Sequence, residues 1–103
     1  MAWFSVRCVF HHFDMGAYEE RITLWEADGF EQAIGLAETE ATHYVEALGS
    51  VRLTGLSQAY HLADEPKSGA EVFSLLRRSP LPGDEYLDTF FTTGTEIQSG
   101  DEE

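Results

Sequence analysis

The sequence predicts a single α+β domain: a four-stranded, mostly antiparallel sheet in the order β-β-α-β-β, one long helix across one face, and a short C-terminal helix. Three observations carry this. Strand-like alternation lies on both sides of a turn between residues 3 and 27, a helical apolar stripe follows over 28–48, and two further strand-like segments come at 51–63 and 70–77.

In residues 3–13 the even positions Phe4, Val6, Cys8 and Phe10 are apolar, with Ser5 and Arg7 between them. In 18–27, Tyr18, Ile22 and Leu24 share one face, and Glu19, Arg21, Thr23 and Trp25 share the other. The link from His12 to Ala17 carries Asp14 and Gly16 and suits a hairpin. Placing both apolar sets on one face requires paired residue numbers with an even sum, because a slip of one residue inverts every side chain. Sums of 28 and 30 both satisfy this: the first sets Trp3 opposite Trp25 but Arg7 opposite Arg21, and the second avoids the like-charge pair.

From Asp28 to Leu48, apolar residues recur at Phe30, Ala33, Ile34, Ala37, Ala41, Tyr44, Val45 and Leu48, a helical stripe. Asp28 and Glu31 have capping-box spacing, and Gly49 is a C-terminal stop. In the third strand, Val51 and Leu53 share one parity and Leu56, Tyr60 and Leu62 the other. Gly55 sits at the changeover, where a bulge would restore a common face. Ala70 to Arg77 reads as a fourth, central strand, apolar at Val72, Phe73, Leu75 and Leu76. After Pro80-Leu81-Pro82-Gly83, the spacing of Tyr86, Leu87, Phe90 and Phe91 behind Asp84 predicts a short helix. Residues 1–97 form the domain, and 98–103 read as a disordered acidic tail.

The formal net charge is −13, from 19 acids against 6 bases. Residues 28–48 and 84–103 hold twelve of those acids and no base, so the rest of the chain is nearly neutral. Nucleic-acid binding needs clustered Lys and Arg, and an anionic membrane surface repels such a chain, so neither partner is expected. A basic protein partner is compatible with this field. The single Cys8 allows no internal disulfide. Neither a leader nor an apolar run approaching 18 residues is seen, which gives a cytoplasmic location as the expectation.

No catalytic constellation assembles. His11 and His12 are adjacent and point to opposite faces of a strand, and no spacing suits zinc or another metal. Glu40 and His43 form a single Glu-x-x-His, which reads as a solvated helix face. Cys8 reads as a buried, inert thiol. There is no P-loop, dinucleotide fingerprint or nucleophile elbow, and no cofactor is expected. On the expected pairing Arg7 and Arg21 both point away from the helix, beside Trp3 and Trp25. That makes these four the candidate ligand- or partner-binding set, with the arginines able to hold an anion by forked hydrogen bonds. Ordinary ion pairing with Glu19, Glu26 or a partner acid is the simpler reading of the two arginines.

The segments Trp3-Phe4-Ser5-Val6-Arg7, Tyr18-Glu19-Glu20-Arg21-Ile22 and Ala70-Glu71-Val72-Phe73-Ser74-Leu75-Leu76-Arg77 resemble those of a family of small bacterial proteins described only as a domain of unknown function. The resemblance spans about residues 3–94. It implies a bacterial, intracellular, single-domain protein and assigns no site residues.

One helix covers one sheet face. The other takes either the C-terminal helix, with Phe90 and Phe91, or a second copy of the chain as a two-fold homodimer. The leading functional expectation is a non-enzymatic protein-interaction module acting through this face or the acidic helix. A binder of small anionic ligands through Arg7 and Arg21 is the alternative, and an enzyme using His12, Asp14 or His61 comes third.

Overall fold

The first apolar segment forms the centre of the sheet. In the computed structural model, which describes residues 1–98, β1 (Ala2–His12) pairs antiparallel with β2 (Ala17–Ala27) on one side and β3 (Val51–His61) on the other. The strand order is β2-β1-β3, and both outer strands are edges. Helix α1 (Phe30–Leu48) connects β2 to β3, and α2 (Gly83–Phe90) follows a long irregular segment. The described chain is thus α+β, with a three-stranded antiparallel sheet and two helices. The rest of the acidic tail read from the sequence, 99–103, lies outside the described residues.

Even positions of β1 meet the helix as their alternation dictates. Phe4, Val6, Cys8 and Phe10 pack with Ala33, Ala37 and Ala41 of α1, and all are buried. Alanine at every fourth helical position keeps the contacting side chains short and lets the helix lie close to the strands. Fully burying Val6 or Phe10 contributes about 1.5–3 kcal/mol each. Gly49 ends α1, donating its N–H to the Val45 carbonyl at 3.0 Å. The capping box does not form. Gly29 holds the N-cap position without a side-chain bond, and the Gln32 side chain accepts the Asp28 N–H at 2.6 Å instead.

The hairpin register differs from the expected one. Ala2 pairs with Ala27 and His12 with Ala17, an odd sum of 29 maintained along the whole ladder. The loop decides this. Phe13–Gly16 is a four-residue connection, closed by the Met15 N–H on the His12 carbonyl at 3.2 Å and by Gly16 at φ 64°. An even-numbered loop imposes an odd sum, so Glu19, Arg21, Thr23 and Trp25 face the helix. Tyr18, Glu20, Ile22, Leu24 and Glu26 face away and are exposed.

The irregularity expected at Gly55 is present, but it inserts two residues rather than one. Cys8 pairs with Ser57 and Phe10 with Leu53, leaving Thr54, Gly55 and Leu56 opposite Val9. Gly55 takes φ 93°, and the Thr54 hydroxyl donates to the Val9 carbonyl at 2.9 Å. A two-residue insertion preserves parity. Leu56, inside the insertion, is 46% exposed and lines a cleft with Glu38 and Ala41 of α1.

The fourth strand is not formed. Residues 70–79 have no ladder partner and run as an extended strap across the sheet face opposite α1. The Ser5 hydroxyl donates to the Val72 carbonyl, the Tyr60 hydroxyl donates to Glu71, and Phe73 lies 6.0 Å from the Tyr60 ring. Apolar residues at both parities in this segment fit a strap, with Phe73 turned to the sheet and Leu76 98% exposed. Nor does α2 cover the sheet: it packs on neither the strands nor α1. It is held to the strap through Arg77, which donates to the Tyr86 hydroxyl at 2.9 Å and lies over the Phe90 ring. The radius of gyration is 15.5 Å, against about 13 Å for a compact domain of this length. No helix among the described residues is long and apolar enough to cross a membrane.

Candidate functional site

The four residues nominated from the sequence do not form one site. Trp3 and Arg7 occupy the outer face of β1, whereas Arg21 and Trp25 project from β2 toward the helix, so the sheet separates them. The odd-sum register is the cause, and it removes the anion clamp shared by the two arginines. Each arginine is instead held by its own partners. Arg7 donates from Nε to Gln58 at 3.1 Å and from a terminal nitrogen to Glu20 at 3.2 Å, and lies 5.0 Å from the Phe73 ring centre. It therefore ties β2, β3 and the strap to the sheet centre. Trp25 packs against the core and donates its indole N–H to Thr23 at 2.7 Å.

On the helix face, charged and aromatic groups replace apolar packing between β2 and α1. Arg21 forks onto the Glu40 carboxylate at 2.6 and 3.0 Å, and its guanidinium lies 4.0 Å from the Tyr44 ring centre. The Tyr44 hydroxyl donates to Glu19 at 2.9 Å, and Glu19 also meets His12 Nε2 at 2.8 Å. The hydrogen bond from Arg21 holds the Glu40 carboxyl below its ordinary range. Burial, with the bond to Glu19 added, pushes the Tyr44 phenol up. Glu40 is thus committed to the sheet, which corrects the reading of Glu40 and His43 as a solvated pair. Only His43 is exposed.

The candidate acid–base residues are dispersed. His12 pairs across to Val51, and His61 stacks on Phe4 at 5.0 Å, eight residues away along β1. That is about 26 Å at strand rise. Asp14 stands exposed in the hairpin loop. The bulge opens a cleft of about 240 Å³ between β3 and α1. There, Ser57 Oγ is 3.3 Å from Glu38 and 3.7 Å from Cys8 Sγ, and no histidine lies in the lining. Among the described residues, no group of three His, Cys, Asp or Glu side chains converges as a metal site would require.

What the register exposes is the outer face of β2. Tyr18, Ile22 and Leu24 are 67%, 46% and 42% exposed, in alternating positions along an edge strand. The strap sits on Ser5, Arg7 and Tyr60 of β1 and β3, and Ser5 is completely buried there. Across the β1 ladder the row faces His11, Arg7 and Ser5, with the His11 ring stacked on Tyr18 at 4.4 Å. Glu20 and Glu26 interleave with it on the same face. Sequence reasoning assigned these apolar residues to the core. The one available signal against that was the length of the hairpin loop.

Comparison with protein families, curated proteins and solved structures found no match. The site is therefore read from its own chemistry.

Proposed function

We propose that this chain is a non-enzymatic protein-interaction module that docks a positively charged partner protein on the outer face of β2. The observation that carries this is the exposed row of Tyr18, Ile22 and Leu24, on a face where the strap is seated on Ser5, Arg7 and Tyr60. Large apolar side chains grouped at one place on a surface mark contact sites. Glu20 and Glu26 flank the row, and the chain carries a net charge of −13. That field repels a second copy and accelerates encounter with a basic surface. An intracellular bacterial setting, as the segment resemblance implies, accords with this reading.

The test is affinity capture from the native host at low and high salt, comparing the wild-type chain with an Ile22→Ser, Leu24→Ser double variant. Both positions are half-exposed, so the variant keeps its fold, with a stability change of about 1 kcal/mol or less. A partner that binds the wild type in a salt-sensitive way and is lost from the variant supports the reading. Equal capture by both chains, or light-scattering masses showing the wild type to be a dimer through this face, sets it aside.

A further inference from the structure

We infer that the free edge of β2 takes up a basic, extended segment of the partner as an added strand, with the pattern Lys/Arg-x-apolar-x-apolar-x-Lys/Arg. This rests on the docking reading above and specifies the partner's chemistry.

The two edges of the sheet differ in a way that matters for pairing. Natural edge strands are blunted by bulges, prolines, lysines or short length. The β3 edge is interrupted by the two-residue insertion at Thr54–Leu56. The β2 strand has no bulge, proline or lysine; what guards it is charge, Glu19 and Arg21 turned toward α1 and Glu20 and Glu26 turned outward, so an added strand must answer the outward pair. It runs eleven residues in one unbroken register against β1, without Gly, Pro or Lys. In an antiparallel ladder only alternate residues of β2 bond to β1, so the others direct their N–H and C=O groups outward. Among the described residues no other segment pairs with β2.

Side chains on the outer face then specify what can pair. Glu20, Ile22, Leu24 and Glu26 follow one another at two-residue spacing: acid, apolar, apolar, acid. An added strand sets its own alternate side chains beside these, so its complement is basic, apolar, apolar, basic. That order reads the same in both directions, so one seven-residue pattern serves parallel and antiparallel addition. Seven residues span about 20 Å, the length of an ordinary strand. On the helix face, Glu19 is engaged by His12 and Tyr44, and Arg21 by Glu40; on the outer face Glu20 is 65% exposed and shares its carboxylate with Arg7, so selection falls to Glu26 and to the open side of Glu20. The intervening positions of the added strand lie beside Arg21, Thr23 and Trp25, where small polar residues fit. Main-chain bonds supply the affinity in this mode and alternate side chains the specificity.

The probe is a fluorescein-labelled peptide of sequence KTVTVTK, with KKVVTTT as a composition-matched control, titrated with the full chain by fluorescence anisotropy. The ordered peptide is expected to bind at least about tenfold more tightly than the control. Glu20→Gln and Glu26→Gln should each weaken it about fivefold, the size of a lost near-surface charge contact. Hydrogen exchange of the complex is expected to slow alternate amides within residues 17–27 and to leave those of β3 unchanged. Equal affinity for the two peptides, protection appearing in β3 or α1, or no binding of the ordered peptide overturns strand addition. If these occur while the Ile22→Ser, Leu24→Ser variant still loses its captured partner, the pairing mode fails and the docking face stands. If the ordered peptide binds as described and that variant loses no partner, the docking face fails instead.

Discussion

The forked contact between Arg21 and Glu40 gives a direct measurement of which way β2 faces. The pair is about two-thirds buried, with side-chain exposures of 28% and 34%. Exposed ion pairs couple by about 0.2–1 kcal/mol, and a forked, partly buried one belongs at the upper end, about 1 kcal/mol. The stacking of Arg21 on Tyr44 adds about 0.5–1 kcal/mol. Arg21→Leu should therefore cost about 2 kcal/mol and lower Tm by about 10 °C. Glu40→Gln should cost about 1 kcal/mol, and the double variant about 2 kcal/mol, because the shared contact is lost only once. Urea unfolding followed by tryptophan fluorescence supplies all four corners of this cycle. The coupling also has a pH signature. Glu40 is held below its ordinary value of 4.5 by the Arg21 hydrogen bond, so its contribution is complete above that value and fades as pH falls through the lowered folded one. Additive single variants at neutral pH, or a coupling unchanged by acid, would refute the placement of Arg21 on the helix face. Zero coupling is also what an even-sum register requires, since Arg21 would then face away from α1 and Glu40.

Two further outcomes follow from the strap and the tyrosines. Ser5→Ala removes the buried hydroxyl that holds Val72; it should cost about 1 kcal/mol in urea unfolding and abolish the NMR contact between the Phe73 and Tyr60 rings, and retention of that contact contradicts the anchoring role. The Tyr44 and Tyr60 phenols are both pushed above 10, Tyr44 first by burial and Tyr60 first by its hydrogen bond to Glu71. Ultraviolet titration of Tyr44→Phe and Tyr60→Phe should each lose absorbance from the alkaline end of the curve. The stability that neutral Tyr44 contributes is complete below pH 10 and declines as pH rises through its folded value.

Helix α1 was legible because its signal is redundant: the alanine and aromatic stripe recurs over five turns, and Gly49 marks its end. The central role of Phe4 to Phe10 was equally plain. The facing of β2 was not, because both of its faces carry large residues and only the loop sets the parity. Apolar count favoured Tyr18, Ile22 and Leu24 as the buried set. The opposite face is buried because α1 brings Glu40 and Tyr44 over Arg21, and no local pattern ties residue 21 to residue 40. The strap was misread for a related reason. Alternation and composition report that a segment is extended and apolar, but not whether its backbone meets a sheet edge or its side chains meet a sheet face. The proposed docking row was therefore in plain view as sequence and assigned to the wrong side.

The insertion opposite Val9 has a consequence for how this chain can vary. Because two residues were added rather than one, the halves of β3 on either side keep the same facing. Removing Gly55 and Leu56 together would restore an unbroken ladder with every remaining side chain on its present side. Removing either alone would leave a one-residue bulge, which can keep Ser57 opposite Cys8 and the strand beyond it on its present side. This point of the chain can thus absorb a change of one or two residues while the pairing on either side of it holds, a place where the domain can vary in length.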